Sequence, residues 1–247
     1  MLKVLRLLPF LIFLVACKET NEPITPDFGY DYAPLKVGNY TIYQIDSIHY
    51  DDFANTVDTF SYQLKEVIDS SYTLLDGKEG FRLERFRRNN PSTNWRITDV
   101  WVTYRTNGQF IRVEENQPIV KLIFPLKIES SWNINSKNTL DSILAEVTSI
   151  RPSSYLGNLS FPATVTITIQ DDQNLIERKL DQEKYSKDVG LISRDYKDLR
   201  TQVTGEIVRG IDYRKELIEW GNRKLTTYQG KIQPQLLNTQ QLSYIRD

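Results

Sequence analysis

A second cysteine is missing from this 247-residue sequence, which excludes an intrachain disulfide, a cysteine-based zinc site and a paired-thiol redox centre. Histidine is as scarce. His49, in "DSIHYDD", is the only one, and a single imidazole cannot build a His-rich zinc site. Its neighbours Asp46, Asp51 and Asp52 fit a partly exposed strand end. Positive charge is not in excess: 31 Lys and Arg stand against 32 Asp and Glu, which leaves no electrostatic footprint for nucleic acid. The glycines form no phosphate-cradling run. "QDDQNLIE", with Asp171, Asp172 and Asn174, lacks the glycine and spacing of a calcium loop, so a β-turn is expected there. The acidic pairs Asp51-Asp52, Glu114-Glu115 and Asp171-Asp172 are adjacent, and neighbours on a strand point to opposite faces. None makes a catalytic dyad. The sequence therefore predicts no catalytic residue, no metal and no cofactor.

Long apolar runs are missing too. Leu7 to Val15, preceded by Lys3 and Arg6, falls far short of the roughly 20 residues that span a bilayer. It has the layout of a secretory signal peptide. Leu14-Val15-Ala16-Cys17 resembles the lipobox of bacterial lipoproteins. That resemblance implies a diacylglyceryl group on the Cys17 thiol, cleavage before it and acylation of the new amino group. Two or three chains at roughly 0.8 kcal/mol per buried methylene would anchor the protein firmly, where one chain alone is marginal. Cleavage would leave 29 basic and 32 acidic residues, a formal charge of −3. Lys18 to Asp31, with Pro23 and Pro26, reads as a polar tether. Lys18-Glu19-Thr20-Asn21-Glu22 resembles in part the charged export signal of surface-displayed Bacteroidota lipoproteins. The expected location is the cell envelope, lipid-anchored at the outer membrane, facing either the surface or the periplasm.

What the sequence does have is aromatics and alternation. Fourteen Tyr, ten Phe and four Trp favour strands, and a period of two begins at Tyr40–Ile45. Further strands are expected at Phe60–Ile68, Tyr72–Leu75, Phe81–Arg87, Arg96–Tyr104, Val120–Phe124, Leu144–Ile150, Ala163–Gln170, Leu175–Leu180, Gly190–Tyr196 and Gly205–Leu217. Asp76-Gly77 and Asn107-Gly108 are hairpin signals. Tyr213, Leu217 and Trp220 fit a helical face, but Ile207, Ile211 and Tyr213 fit alternation better. The predicted fold is mainly β, an antiparallel sandwich or a curled half-barrel. The expected organisation is a signal peptide (1–16), lipidated Cys and tether (17–31), a β-rich domain (32–223) and a polar tail (224–247).

"PLKVGNYTIY" from Pro34 is echoed by "PLKIESSWNIN" from Pro125. Two similar β-units, 34–123 and 125–223, would explain this. So would shared strand-entry chemistry, since proline pre-sets φ and donates no ladder bond. Trp132, in the second copy, is expected to be buried. "YAPLKVGNYTIYQIDSI" and "YSKDVGLISRDY" resemble passages of uncharacterised Bacteroidota envelope lipoproteins, a resemblance that implies location and fold but no activity.

One cluster suggests a surface. In "FRLERFRRNNPSTNWRITDVWVTYR", Arg85, Arg87, Trp95, Trp101 and Tyr104 could meet a ligand or partner through aromatic faces and guanidinium groups. Ordinary cross-strand pairing would place the same residues together. The leading expectation is a non-catalytic envelope lipoprotein that binds a partner protein or scaffolds the surface. The alternatives are a carrier of a lipid or other apolar ligand in a half-barrel, then a glycan-binding or glycan-active protein. An apolar cavity would favour the carrier, and a filled core the scaffold.

Overall fold

The computed structural model describes residues 27–223. The expected signal peptide, Cys17, most of the tether and the polar tail lie outside them. From Asn39 onward the chain is strand after strand: β1 (Asn39–Asp51), β2 (Thr56–Thr73), β3 (Glu79–Arg88), β4 (Arg96–Arg105), β5 (Gln109–Glu114) and β6 (Gln117–Ile123). The second six are β7 (Ser131–Asn133), β8 (Leu144–Leu156), β9 (Leu159–Gln173), β10 (Glu177–Ser186), β11 (Gly190–Thr201) and β12 (Ile207–Asn222). The only helical piece among the described residues is a 3-10 turn, Tyr30–Tyr32.

All twelve strands form one antiparallel sheet, in the order β6-β5-β4-β3-β2-β1-β12-β11-β10-β9-β8-β7. Apart from β6 and β7, each strand thus pairs with its sequence neighbours, and β1 joins β12 from Asn39↔Asn222 to Tyr50↔Gly210. The result is a nearly closed half-barrel, one of the two expected architectures. Its open seam lies between β6 and β7. There a ladder is replaced by three bonds: Val120 N–H to the Ile134 carbonyl (2.9 Å), Trp132 Nε1–H to the Val120 carbonyl (2.9 Å) and Asn138 Nδ2–H to the Pro118 carbonyl (3.0 Å).

Several strands outrun their expected limits. β8 continues through Pro152 and β9 through Pro162. β7 covers only the first residues of β8, from Leu144 to Glu146, so Pro152 lies on a free edge where its missing N–H costs nothing. Phe60–Ile68 and Tyr72-Thr73 belong to one strand, β2, whose register slips between Ile68 and Ser70, while Leu74 and Leu75, expected as strand, lie beyond its end. β7, which carries Trp132, is only three residues long. The 213–220 stretch is strand, not helix.

The core is partitioned. Phe110, Ile111, Val120, Leu122, Trp132, Val147, Val165 and Ile167 pack across the seam. Tyr43, Ile45, Leu64, Phe161, Ile192 and Leu217 form a second cluster, and Ile68, Phe81 and Leu83 a third. Residues 27–31, expected as tether, are held on the barrel. Asp27 pairs with Lys187 (2.5 Å), Arg105 donates to the Tyr30 carbonyl (3.0 Å), and the Tyr30 ring meets Phe124 edge-on at 5.0 Å. The segment continues to Gly38, whose N–H bonds the Ile68 carbonyl, and so straps one end of the barrel.

Candidate lumenal binding site

Alternation puts one set of side chains inside the half-barrel. On β2 that set is Leu64, Glu66 and Ile68; on β12 it is Tyr213, Lys215 and Leu217. A charged residue therefore sits at an inward position of each strand. Glu66 is 4% exposed and Lys215 is 5% exposed. Their side chains meet at 3.1 Å. Glu66 also faces Arg85 of β3 (3.4 Å) and Arg112 of β5 (3.5 Å). Arg85 is shared with Asp99 of β4 (2.9 Å). Around Glu66, three cations thus face two carboxylates.

The electrostatics follow from that count. Burial opposes charge on Glu66, but Lys215, Arg112 and Arg85 outweigh it and hold the carboxyl well below its ordinary range. Lys215 shares its one anion with two guanidinium groups, and burial pushes it down to about 8. Arg112 stays charged, held up by Glu66 against the cost of burial. Its contact to Glu66 is the longest of the three, and its Nε, shut off from solvent, has no hydrogen-bond partner among the described residues.

A second lumenal group is balanced. Glu183 of β10 accepts from Lys121 of β6 (2.6 Å) and from the Tyr185 hydroxyl (2.5 Å). Arg194 of β11 grips Asp181 with two bonds of 2.9 Å. Burial opposes the Glu183 charge, yet Lys121 and Arg194 bring its pKa down to about 2.

Above the unbalanced group lies a cavity of about 240 Å³. Its deep wall holds Tyr43, Glu66, Thr103, Arg112 and Tyr185, and its sides are apolar, with Ile68, Leu83, Phe110 and Leu191. The rim is exposed: Trp220, Asn222 and Asp188. Ala33, Pro34 and Leu35 of the strap complete it. The mouth is thus at the barrel end where the chain enters. Glu66 and Asp188 are the two carboxylates on this wall, and Glu66, locked as an anion by its cations, is too weak a base and too strong an acid for proton transfer near neutrality.

Of the residues singled out from the sequence, Arg85 joins the charge group around Glu66, but none of them lines the cavity. The Arg85 guanidinium lies 3.7 Å from the Trp101 ring centre and Arg87 3.9 Å from that of Tyr62. Trp95 is covered by Arg88 (4.2 Å) and Lys65 (4.8 Å). Tyr104 packs against the seam core. These aromatic faces are already occupied by cations of their own sheet. His49 meets Ser47 Oγ at 2.9 Å and the Phe60 ring at 4.9 Å. The Asn174 carboxamide caps a tight turn by accepting from the Ile176 and Glu177 amides, as the β-turn reading expects. Among the described residues no three His, Cys, Asp or Glu side chains are placed to hold a metal.

Glu66, Arg112, Lys215 and Glu183 were not among the expected site residues. For Glu66 and Lys215 the signal was present: in "LKEVI" and "YRKEL" a charged residue occupies the apolar phase of a period-two pattern.

No protein-family model matches the chain, and no curated protein does. Among solved structures it is similar to the crystal structure of a predicted lipoprotein from Parabacteroides distasonis. The identity is 12% and the TM-score 0.38, over 77% of this chain and 98% of that one.

Proposed function

We propose that this chain is a lipid-anchored envelope protein that takes a small ligand into the lumen of its half-barrel without transforming it. The observation that supports this reading is the cavity of about 240 Å³, apolar-sided and open at the strapped end. It falls just below the ~300–1,000 Å³ of pockets for drug-sized ligands, which suits a small guest. The anchor is the lipobox-like Cys17, and the location it implies is the outer membrane. Cys17 and Asp27 are ten residues apart, so Asp27, at the start of the strap, stays within roughly 35 Å of the anchored cysteine at full extension. A ligand leaving the bilayer has a short path. Catalysis has no support in a wall whose buried carboxylate is held by cations.

The test is calorimetric titration of the Cys17→Ser chain, purified without detergent, with decan-1-ol. Leu83→Trp, which fills the cavity from its side, is the matched control. Saturable binding by the parent that disappears in Leu83→Trp supports the reading. Equal heats from both proteins overturn it.

A second reading, docking of a partner protein, is favoured by the opposite end of the barrel. Phe53, Leu175 and Val203 sit on three neighbouring hairpin tips, and all are largely exposed. Exposed apolar side chains gathered at one end of a barrel are candidates for an interaction surface. In native electrophoresis of envelope extracts, docking predicts a complex that the Phe53→Ser, Leu175→Ser, Val203→Ser variant leaves. Migration as a lone chain in both cases removes this second reading.

A further inference from the structure

We infer that the cavity is a site for a small amphipathic anion, its carboxylate or phosphate held by Arg112 at the deep wall and its apolar body lodged between Ile68, Leu83 and Phe110. The inference rests on the lumenal-binding reading and names its ligand class.

Three independent features carry it. The first is the charge count: around Glu66, Lys215, Arg85 and Arg112 form ion pairs only with Glu66 and Asp99, while Glu114 of β5 attracts Arg112 from farther away. Buried charges are tolerated when paired, and here one positive charge has no full partner. The second is hydrogen bonding. Arg112 Nε is buried and unpartnered among the described residues, and the Arg112–Glu66 contact is an ion pair at 3.5 Å. Arg85 also keeps a buried, unpartnered Nε, but Arg85 is not on the cavity wall, whereas Arg112 is. A guanidinium presents a planar fork of donors that matches carboxylate and phosphate oxygens. Glu66 can yield Arg112 to a guest, because Lys215 at 3.1 Å and Arg85 at 3.4 Å continue to neutralise it.

The third feature is the polarity gradient. Around the deep polar wall the sides are Ile68, Leu83, Phe110 and Leu191, and the mouth carries the Trp220 ring. A molecule charged at one end and apolar along its length fits head inward. A sugar would leave most of its hydroxyls against these apolar sides, and a hydrocarbon would leave Arg112 as it is. A cation would meet Arg112 at the closed end.

The experiment uses the Cys17→Ser chain and four ten-carbon probes in calorimetric titration: decanoate, decyl phosphate, decan-1-ol and decyltrimethylammonium. We expect the anions to bind at least tenfold tighter than decan-1-ol and the cation not to compete. Arg112→Met should lower the anion affinity to that of the alcohol and leave the alcohol unchanged, while Arg112→Lys should keep part of the preference. Tighter binding of decanoate than of decyl phosphate assigns the site to carboxylates, and the reverse assigns it to phosphate headgroups. If Arg112→Met does not fold, the four-probe comparison on the parent protein still decides. Alcohol, anions and cation binding alike, with no loss in Arg112→Met, overturns the anion assignment and leaves lumenal binding standing. Binding of none of the four overturns both.

Discussion

Two residues bracket what a single side chain does in this molecule. Trp132 is 8% exposed, and its indole N–H is one of the bonds that hold β7 to β6 across the seam. Trp132→Ala removes a large apolar volume and that donor together. It is expected to cost about 3–5 kcal/mol, and Trp132→Phe, which keeps most of the volume, distinctly less. Urea unfolding monitored by circular dichroism checks both, and an alanine variant with an unmoved midpoint contradicts the packing argument. Cys17 acts at the other extreme, through chemistry added to it. If it carries the acyl chains, Cys17→Ser moves the protein from the membrane fraction to the soluble fraction on cell fractionation. Membrane association unchanged in the serine variant rules the anchor out.

Strand pairing depends on single backbone positions. Gly210 has φ +125°, and a Cβ built there would lie 1.9 Å from the Asp198 carbonyl oxygen on β11. Backbone cannot move aside as a side-chain tip can, so Gly210→Ala must push β12 from β11 at the residue that pairs with Leu199 of β11 and with Tyr50 of β1. Strain of this kind costs of order 1–3 kcal/mol on its own, and the lost ladder bonds add to it. The expected result is a melting temperature lowered by several degrees, with faster amide exchange at 198–200 and 209–212 and little change in β3–β6. Uniform exchange across the sheet would contradict the local account.

Much of this element-scale structure was legible in the sequence. Alternation placed nearly every strand, and Asn107-Gly108 and Asp76-Gly77 do close hairpins. Closure was not legible. A sandwich and a half-barrel share the same local patterns, and the difference lies in β1 meeting β12 about 170 positions later. The site was illegible for a related reason. Glu66 and Lys215 read as polar breaks in apolar runs until pairing brings them within 3.1 Å. The Arg and aromatic residues of β3 and β4 drew notice because they are neighbours in sequence. In the folded chain they mostly satisfy one another.

At the scale of the whole molecule, seven of the twelve strands send a charge inward: Glu66 from β2, Arg85 from β3, Arg112 from β5, Lys121 from β6, Glu183 from β10, Arg194 from β11 and Lys215 from β12. The barrel is therefore held partly by protonation state. Glu66 and Glu183 have folded-state pKa values below their unfolded ones, Glu183 at about 2 against 4.5. A depressed carboxyl contributes stability that is complete above the unfolded pKa and lost as pH falls through the folded one. The loss should run from about pH 4.5 to about pH 2. Lys215 has the opposite sign. Its folded pKa of about 8 lies below the unfolded 10.5, so the unfolded chain binds more protons between those values and the fold gains stability as pH rises through them. Tyr43 and Tyr185, both raised by burial, reverse that gain above about pH 10. The decisive variant is Glu183→Gln, which leaves Lys121 and Arg194 facing a neutral amide. Breaking a buried pair from one side costs about 3–5 kcal/mol, so the variant should be much less stable at pH 7. It also lacks the titrating group, so its stability should fall less steeply in acid, and the two proteins should converge near pH 2–3. Thermal melts of both chains from pH 7 downward check this. Parallel curves with a constant gap would mean that acid unfolding begins at the exposed surface and not in the lumen.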